Sequence, residues 1–354
     1  MTQTYPATRD VPGPSGLALI RTLRDMQRRP LDVYLASRAE YGDLVRFRAG
    51  SRLFYLVSHP DHIQHVLRDN YRNYRKGYLN EPLVPLLGQG LLTSEGDAWL
   101  RQRRLIQPSF HRHRLAAFAG LMRQAAEGLI ERWRALPSEG WPIDIVAEMS
   151  RLTLDIVGQA LFGADTSSLS GELKQAFGVA LAHINYRSTH PYAWPDWLPT
   201  PANRRYARAV ARLDAVVGQI LAQRRQRPTQ AEDLLGLLLQ ARDEETGAGM
   251  SDRQLRDEVI TFLLAGHETT AMALSWTWYL LARHPRVAER LRAELDSRLA
   301  GRAPAEADLG HLPYTRAVLQ ETLRLFPPSV VIPRQANEAD RLGPYPVPAD
   351  TVIV

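Results

Sequence analysis

The longest helical pattern in the sequence, over residues 252–283, restricts the possible folds more than any other feature. It contains no proline, and its apolar residues recur at the three- and four-residue spacing of an α-helix. At 1.5 Å per residue such a helix is roughly 45 Å long, well beyond the average helix of a globular protein. A helix of that length must cross the whole molecule, so we expect the other elements to pack around it.

Shorter helical patterns and a few strand signals account for most of the remaining chain. Further helices are predicted at residues 115–136, 143–162, 202–225, 232–242, 285–299 and 314–326. Strand signals cluster at the two ends, as a hairpin over residues 43–57 and as β-like runs at 330–332 and 345–354. The sequence therefore predicts a mainly α fold with a small β-sheet that pairs the two ends. Its β-rich parts are expected at about 40–60 and 328–354, beside a helical body at about 95–326.

Nothing in the interior of the chain resembles a boundary between domains. No Gly/Ser run, repeat or charge block interrupts the sequence, so we expect a single domain over residues 1–354. Residues 77–93 and 183–201 are rich in proline, glycine or aromatic residues and are predicted as long irregular loops.

Composition excludes several classes of protein. The 354 residues contain no cysteine, which rules out disulfides and thiolate-ligated metal sites among them. No apolar run reaches the roughly 18 residues of a membrane helix, and residues 1–12 lack a signal-peptide pattern, so we expect a cytoplasmic protein. The net charge is +6, but the arginines alternate with acids along helices, as at 289–294. That arrangement is typical of a solvated helix face, so we expect no binding of nucleic acid.

The middle of the long helix carries an unusual polar segment, Ala-Gly-His-Glu-Thr-Thr, at residues 265–270. Gly266 costs about 1 kcal/mol in a helix interior relative to alanine, and adjacent threonines can hydrogen-bond to backbone carbonyls. Together with Glu268 they suggest either a helix adapted to bind a small ligand and pass protons to it, or an ordinary surface-facing segment. The His-Glu pair also begins a zinc-protease pattern, but Ala271 stands where that pattern needs histidine.

Two further pairs have helical spacing. Trp99 and Arg103 are four residues apart, so they share a helix face, and both side chains are pure hydrogen-bond donors. They suit the carboxylate of a flat cofactor, or else form a cation–π pair on a surface. Glu321 and Arg324 are three residues apart and by themselves indicate only a surface ion pair.

Taken in this order, the segments resemble the cytochrome P-450 family over essentially the whole chain, and in particular its soluble bacterial members. The segment with Trp99 and Arg103 resembles the family's heme-propionate helix, and residues 265–270 resemble its oxygen-activating motif. Glu321 and Arg324 match its Glu-x-x-Arg pair, and residues 327–328 followed by Arg334 match its Pro-Pro…Arg stretch.

The resemblance implies heme b, an iron protoporphyrin, as the cofactor. By resemblance, Trp99, Arg103 and Arg334 hold its propionates. Residues 77–93, 183–201 and 330–332 are expected to line the substrate pocket.

The resemblance also assigns roles to the helix segments. Ala265 and Gly266 lie beside the heme face and leave room for oxygen, while Glu268 and Thr269 deliver protons during oxygen activation. Glu321 and its partner Arg324 are structural and lock their helix into the core near the heme.

The implied activity is the insertion of one atom of O2 into an apolar small molecule. Electrons would come from a ferredoxin- or flavodoxin-type donor, and arginines of the propionate helix and the segment after it would face that acidic partner. They are Arg101, Arg104, Arg112 and Arg114.

The departure from the family is the heme-ligand loop. Members carry Phe-x-x-Gly…Cys-x-Gly, whose thiolate ligates the iron, and this sequence contains no such segment. We therefore expect the chain to stop before that loop, to hold no metal ligand of its own and to be inactive as it stands. The alternatives are a truncated protein that binds a hydrophobic ligand without chemistry, or a heme sensor ligated by histidine, with His267 as the candidate.

Overall fold

The computed structural model describes residues 10–137, 142–163, 167–189, 194–226 and 233–354. Most of them are helical. The helices are α1 (Gly16–Met26), α2 (Pro30–Tyr41), α3 (Pro60–Gln64), α4 (Val84–Leu87), α5 (Gly96–Ile106), α6 (Arg112–Arg134), α7 (Ile145–Phe162), α8 (Ser167–Thr189), α9 (Pro201–Gln226), α10 (Leu234–Gln240), α11 (Asp252–Arg283), α12 (Pro285–Leu299) and α13 (Pro313–Leu325).

Two small sheets lie beside these helices. The strands are β1 (Leu44–Ala49), β2 (Arg52–Val57), β3 (Tyr74–Arg75), β4 (Arg334–Ala336), β5 (Asp340–Leu342), β6 (Tyr345–Val347) and β7 (Val352–Ile353). The larger sheet has the order β1-β2-β7-β4-β3, and β5 pairs with β6 in the second. Strand β7 runs parallel to β2, with Phe54 opposite Val352, and antiparallel to β4. The predicted pairing of the two chain ends in one small sheet is therefore confirmed.

Helix α11 has the bounds that the sequence predicts and packs most extensively against α7. The two helices approach closely because Gly266 lies opposite Val157, where an added Cβ would come within 2.8 Å of the Val157 Cγ2. Thr153 of α7 donates its hydroxyl to the backbone carbonyl of His267 at 2.9 Å. The main apolar core is built around this contact from side chains of α4, α5 and α7 to α11, and Leu213, Leu235 and Ile260 are fully buried within it.

Local sequence signals explain where several helices begin and end. Asp144 caps α7 by accepting a hydrogen bond from the Ala147 N–H at 3.0 Å, and Gly163 ends that helix in the left-handed region with φ of 60°. Ser251 caps α11 in the same way through the Gln254 N–H, at 3.2 Å.

One half-buried carboxylate ties the second sheet to β3 and to the chain before it. A single oxygen of Asp340, Oδ2, accepts hydrogen bonds of 2.6 to 3.0 Å from three side chains, which together with Asp340 we call the Asp340 cluster. The donors are His65, Asn70 and Tyr74.

Three loop and strand predictions need correction. Residues 330–332 form no strand, and the strand begins only at Arg334, because the prolines at 327, 328 and 333 have no N–H for a ladder. Residues 183–189 belong to α8, whereas 190–193 lie outside the described residues. The loop predicted at 77–93 contains the 3₁₀ segment Tyr78–Leu83 and α4.

Candidate functional site

A cavity of about 1210 Å³ brings together three of the predicted site residues from distant parts of the sequence. Trp99 and Arg103 reach it from α5, and Arg334 reaches it from β4. Lys76 and Glu95, which lie at the two ends of the segment between β3 and α5, line the same space. The cavity therefore lies where the larger sheet meets the start of α5.

The predicted donors around the cavity differ in how deeply they are buried. The Arg103 guanidinium carbon lies 5.3 Å from the centre of the Trp99 ring, and Arg103 itself is exposed. Arg334 is half-buried and donates to the carbonyl of its neighbour Pro333 at 2.8 Å. Burial lowers the pKa of Arg334, with the charge of Glu95 opposing the change. A cation in this position is stabilised by an anion that enters the cavity.

Lys76 is a member of this site that the sequence motifs do not identify. Its ammonium group lies 5.9 Å from the centre of the Trp99 ring and donates to the carbonyls of Leu91 and Ser94, at 2.7 and 2.6 Å. Burial lowers the pKa of Lys76 to about 8, and the charge of Arg334 adds to the lowering. The sequence contains one signal that could have identified Lys76: it is one of only two lysines, whereas all the other permanently charged basic side chains are arginines.

These residues fit a flat cofactor that carries carboxylates. Lys76, Arg103 and Arg334 provide three cations around one cavity, and the Trp99 indole adds a neutral donor. Glu95 is a carboxylate of the lining, and one of its oxygens accepts from the backbone N–H groups of residues 76 and 77 at 2.7 and 3.1 Å. Glu95 offsets part of the charge of Lys76 and Arg334, and the remainder is available to a group that binds in the cavity.

The polar segment of α11 remains a continuous helix, with its predicted functional side chains on one exposed side. Thr269 donates its hydroxyl to the carbonyl of Ala265 at 2.5 Å, the back-bond that the sequence suggests. Glu268 is accessible to water, yet the surrounding protein desolvates its carboxyl group enough to raise its pKa. These three residues lie outside the lining of the cation-rich cavity.

The opposite side of the same segment packs into the molecule. His267 is only 8% exposed and faces the packed side of α11. Position 266 requires glycine because α7 leaves no space for a side chain there.

Glu321 and Arg324 form the ion pair that their spacing predicts. The guanidinium donates twice to the carboxylate, at 2.7 and 2.6 Å, and this interaction lowers the pKa of Glu321. The side chains are 55% and 66% exposed, so the pair lies at the surface of the described residues, and its role in locking the helix near the heme stays a prediction.

The arginines expected to face an electron donor are partly engaged within the fold. Arg101 and Arg104 lie 3.7 and 3.6 Å from a carboxylate oxygen of Asp243, and Arg104 also pairs with Glu245 at 2.5 Å. The side chains at 112 and 114 lie outside the described ones.

The loops expected to line a substrate pocket are found in different places. Trp194 and Trp197 are 70% and 80% exposed. Residues 330–332 line an apolar cavity of about 420 Å³ together with Tyr34 and Ile353. Leu86 and Leu87 of the 77–93 segment are fully buried in the main core.

Two further observations concern only the part of the chain that the structure describes. Within it, no helix is both long and apolar enough to span a bilayer. Nor do any three histidine, cysteine, aspartate or glutamate side chains converge there in a way that would hold a metal ion.

Comparison with known proteins gives a consistent family. A family model described as Cytochrome P-450 matches residues 11–354. The chain is 39% identical over 348 residues to "Cyclooctatin synthase" of Streptomyces melanosporofaciens, covering 97% of this chain and 74% of that protein. It is 38% identical over 343 residues to "Cyclooctat-9-en-7-ol 5-monooxygenase" of the same organism, covering 96% and 73%. It is 33% identical over 343 residues to "Pentalenene oxygenase" of Streptomyces avermitilis, covering 96% and 75%.

Proposed function

The chain belongs to the cytochrome P-450 family of heme-dependent monooxygenases, and from that premise we propose that it oxidises an apolar terpene-type small molecule. Enzymes of this family use heme b, O2 and electrons from a redox partner. The proposal of a terpene rests on two relatives that are named as oxygenases of terpenes. A ferredoxin- or flavodoxin-type protein is the proposed electron donor.

The observation that carries the cofactor assignment is the cation-rich cavity. We assign the heme propionates to Trp99, Arg103 and Arg334, as the sequence suggests, and add Lys76. Their donors match carboxylates, and the two half-buried cations of this set have lowered pKa values that an entering anion would offset. When bound, heme supplies the iron centre at which oxygen is activated and transferred to the substrate.

On α11 we propose that Glu268 and Thr269 hold and move protons. Desolvation raises the pKa of Glu268 toward neutral pH. A carboxyl group gains and loses protons most readily when its pKa lies near the working pH. The Thr269 hydroxyl is fixed on the Ala265 carbonyl and is therefore oriented within the same turn. The methyl side chain of Ala265 leaves the exposed side of this turn open to a cofactor and a small ligand.

These 354 residues contain no cysteine, so they cannot supply a thiolate as the axial ligand of the heme iron. We therefore propose that heme held by these residues alone lacks thiolate chemistry and monooxygenase activity. His267 is a poor substitute, since it is buried on the opposite side of α11 from Ala265 and Thr269.

A reconstitution experiment tests these proposals in two stages. Heme is first added to the chain and the carbon monoxide spectrum is recorded. Terpene hydrocarbons and fatty acids are then supplied, with a ferredoxin, its reductase and NADPH, to a fusion of the chain with the cysteine-containing heme-ligand segment of a relative. Oxidised terpenes are the expected products. Oxidation of fatty acids alone would contradict the substrate class, an imidazole-type spectrum would favour a histidine-ligated sensor, and absence of porphyrin binding would favour a ligand-binding protein without chemistry.

A further inference from the structure

The loop at residues 88–94, which leads into α5, is hydrogen-bonded through its backbone to two consecutive carboxylates of α11. Asp257 accepts a hydrogen bond from the N–H of Gln89, and Glu258 accepts one from the N–H of Leu91, both at 2.9 Å. Gly88 approaches the same carboxylate so closely that an added Cβ would overlap the Asp257 side chain. The central helix thus fixes the backbone of this loop at two points.

Lys76 contacts the same loop from the side of the cavity. Its ammonium group donates to the carbonyl of Leu91 at 2.7 Å and to that of Ser94 at 2.6 Å. Leu91 therefore links two charged side chains, because its N–H binds Glu258 while its carbonyl binds Lys76. No other residue of the loop has both of its backbone groups bonded to charged side chains of the described residues.

Glu258 is an unusual residue for a purely structural contact. Its side chain is completely buried, and its second oxygen, Oε1, has no hydrogen-bond partner among the described residues. The adjacent Asp257 has instead an ion pair with Arg256 at 2.8 Å. A buried carboxylate with an unpartnered oxygen lowers stability relative to a neutral side chain of the same shape, so the charge of Glu258 calls for another reason.

From this geometry we infer that Glu258 is a positioning residue for the cofactor site, which fixes the Lys76 ammonium group at the cavity wall through the backbone of Leu91 and favours its charged form. The inference rests on the proposed function, since it takes the anion at Lys76 to be a porphyrin propionate.

The charges around Lys76 show how the two residues are coupled. Arg334, Glu95 and Glu258 act on the ammonium group, and the Trp99 ring lies beside it. Burial and Arg334 lower the pKa of Lys76, whereas Glu95 and Glu258 oppose that change. Removing the charge of Glu258 must therefore let Lys76 lose its proton at a lower pH.

The test uses metal-free protoporphyrin IX, which carries both propionates and needs no axial ligand. Its dissociation constant is measured from quenching of tryptophan fluorescence between pH 6.5 and 9, for the parent chain and for the variants E258A, E258Q and K76M. Protoporphyrin dimethyl ester, whose propionates are uncharged, serves as the second probe. D257N is the matched control. It removes the charge of the neighbouring α11 carboxylate, which contacts the same loop at Gln89, but leaves the bonds of Leu91 to Glu258 and Lys76 in place.

We expect E258A to weaken protoporphyrin binding about tenfold at pH 7, and E258Q, which keeps an oxygen for the Leu91 N–H, to weaken it about twofold or less. In the K76M background E258A should cause no further loss, and with the dimethyl ester the parent and E258A should bind alike. Affinity of the parent should fall as the pH rises through about 8, the pKa of Lys76, and in E258Q the fall should begin at lower pH.

Three results would overturn the inference while leaving the cofactor site intact: parent-like affinity in E258A, an equal loss from E258A with and without Lys76, or identical pH profiles in the parent and E258Q. The last comparison decides the matter even if E258A does not fold. Failure of the parent chain to bind protoporphyrin at any pH would instead overturn the cofactor assignment, and the inference with it.

Discussion

Replacing Glu258 with glutamine should make the protein more stable at neutral pH, although the residue is fully buried and hydrogen-bonded. Burial raises the pKa of Glu258 from an ordinary 4.5 to about 7, with the charge of Asp257 adding to the rise and the Leu91 N–H and Lys76 opposing it. One unit of pKa difference corresponds to about 1.36 kcal/mol, so the buried charge costs about 3 kcal/mol once it has formed.

The direction of the pH dependence follows from proton binding. The folded state holds its proton on Glu258 up to about pH 7, whereas the unfolded chain loses it near 4.5. Between these values the folded state binds more protons, so the parent loses stability as the pH rises. E258Q has no proton to lose at this position, and its amide oxygen still accepts from the Leu91 N–H.

Urea unfolding of the parent and E258Q at pH 5, 6, 7 and 7.5 measures this difference. We expect E258Q to exceed the parent in free energy of unfolding by about 1 kcal/mol at pH 5, and by about 3 kcal/mol at pH 7.5. D257N is the control and should be less stable than the parent at every pH, because it breaks the ion pair with Arg256. A loss of stability in E258Q that increases with pH would refute the reasoning, since the charge would then be favourable in the fold.

Three other substitutions test separate parts of the structure. T269A removes the hydroxyl that donates to the carbonyl of residue 265. In the fusion that carries a relative's cysteine-containing segment, T269A should lower the amount of product formed per O2 consumed. An oxygen electrode combined with product analysis measures this ratio, and unchanged coupling would contradict the proton role. G266A should destabilise the fold by about 1–2 kcal/mol in urea unfolding, and the second substitution V157A should recover part of the loss, because the added methyl group meets Val157 at 2.8 Å. D340A removes the acceptor of the Asp340 cluster and should cost about 2–4 kcal/mol at pH 7. Burial raises the pKa of Asp340, but the bonds from the cluster outweigh it and hold the pKa below its ordinary value, so the difference from the parent should shrink in acid.

The sequence predicts best those elements whose pattern is local. The bounds of α11 and of α12 follow from periodicity, capping serine and helix-starting proline, and the structure has them as predicted. The hairpin of β1 and β2 follows in the same way from alternation around a turn. The strand predicted at 330–332 was wrong, because prolines flank the β-branched residues there and proline has no N–H to donate to a ladder.

In the candidate site, too, only the residues that belong to local motifs could be predicted from the sequence. Trp99, Arg103 and Arg334 belong to recognisable motifs, and the structure brings them to one cavity. Lys76 has no motif, since its place at the wall depends on the loop at 88–94, whose position is set by side chains nearly 170 residues further along the chain.

Glu258 shows most clearly why the remaining part of the site could not be read from sequence. Two adjacent acids in an Arg-rich stretch of helix have the local pattern of a solvated face, and nothing within one helical turn indicates burial. The side chain is buried only because the segment that contains α4 and the 88–94 loop packs over α11 and turns its backbone N–H groups toward the carboxylates. The charge of Glu258 is therefore a property of a long-range contact. That contact joins the helix with the proposed proton-transfer residues to the cavity with the proposed propionate donors, so a substitution at 258 should change both the stability of the fold and the affinity for the cofactor.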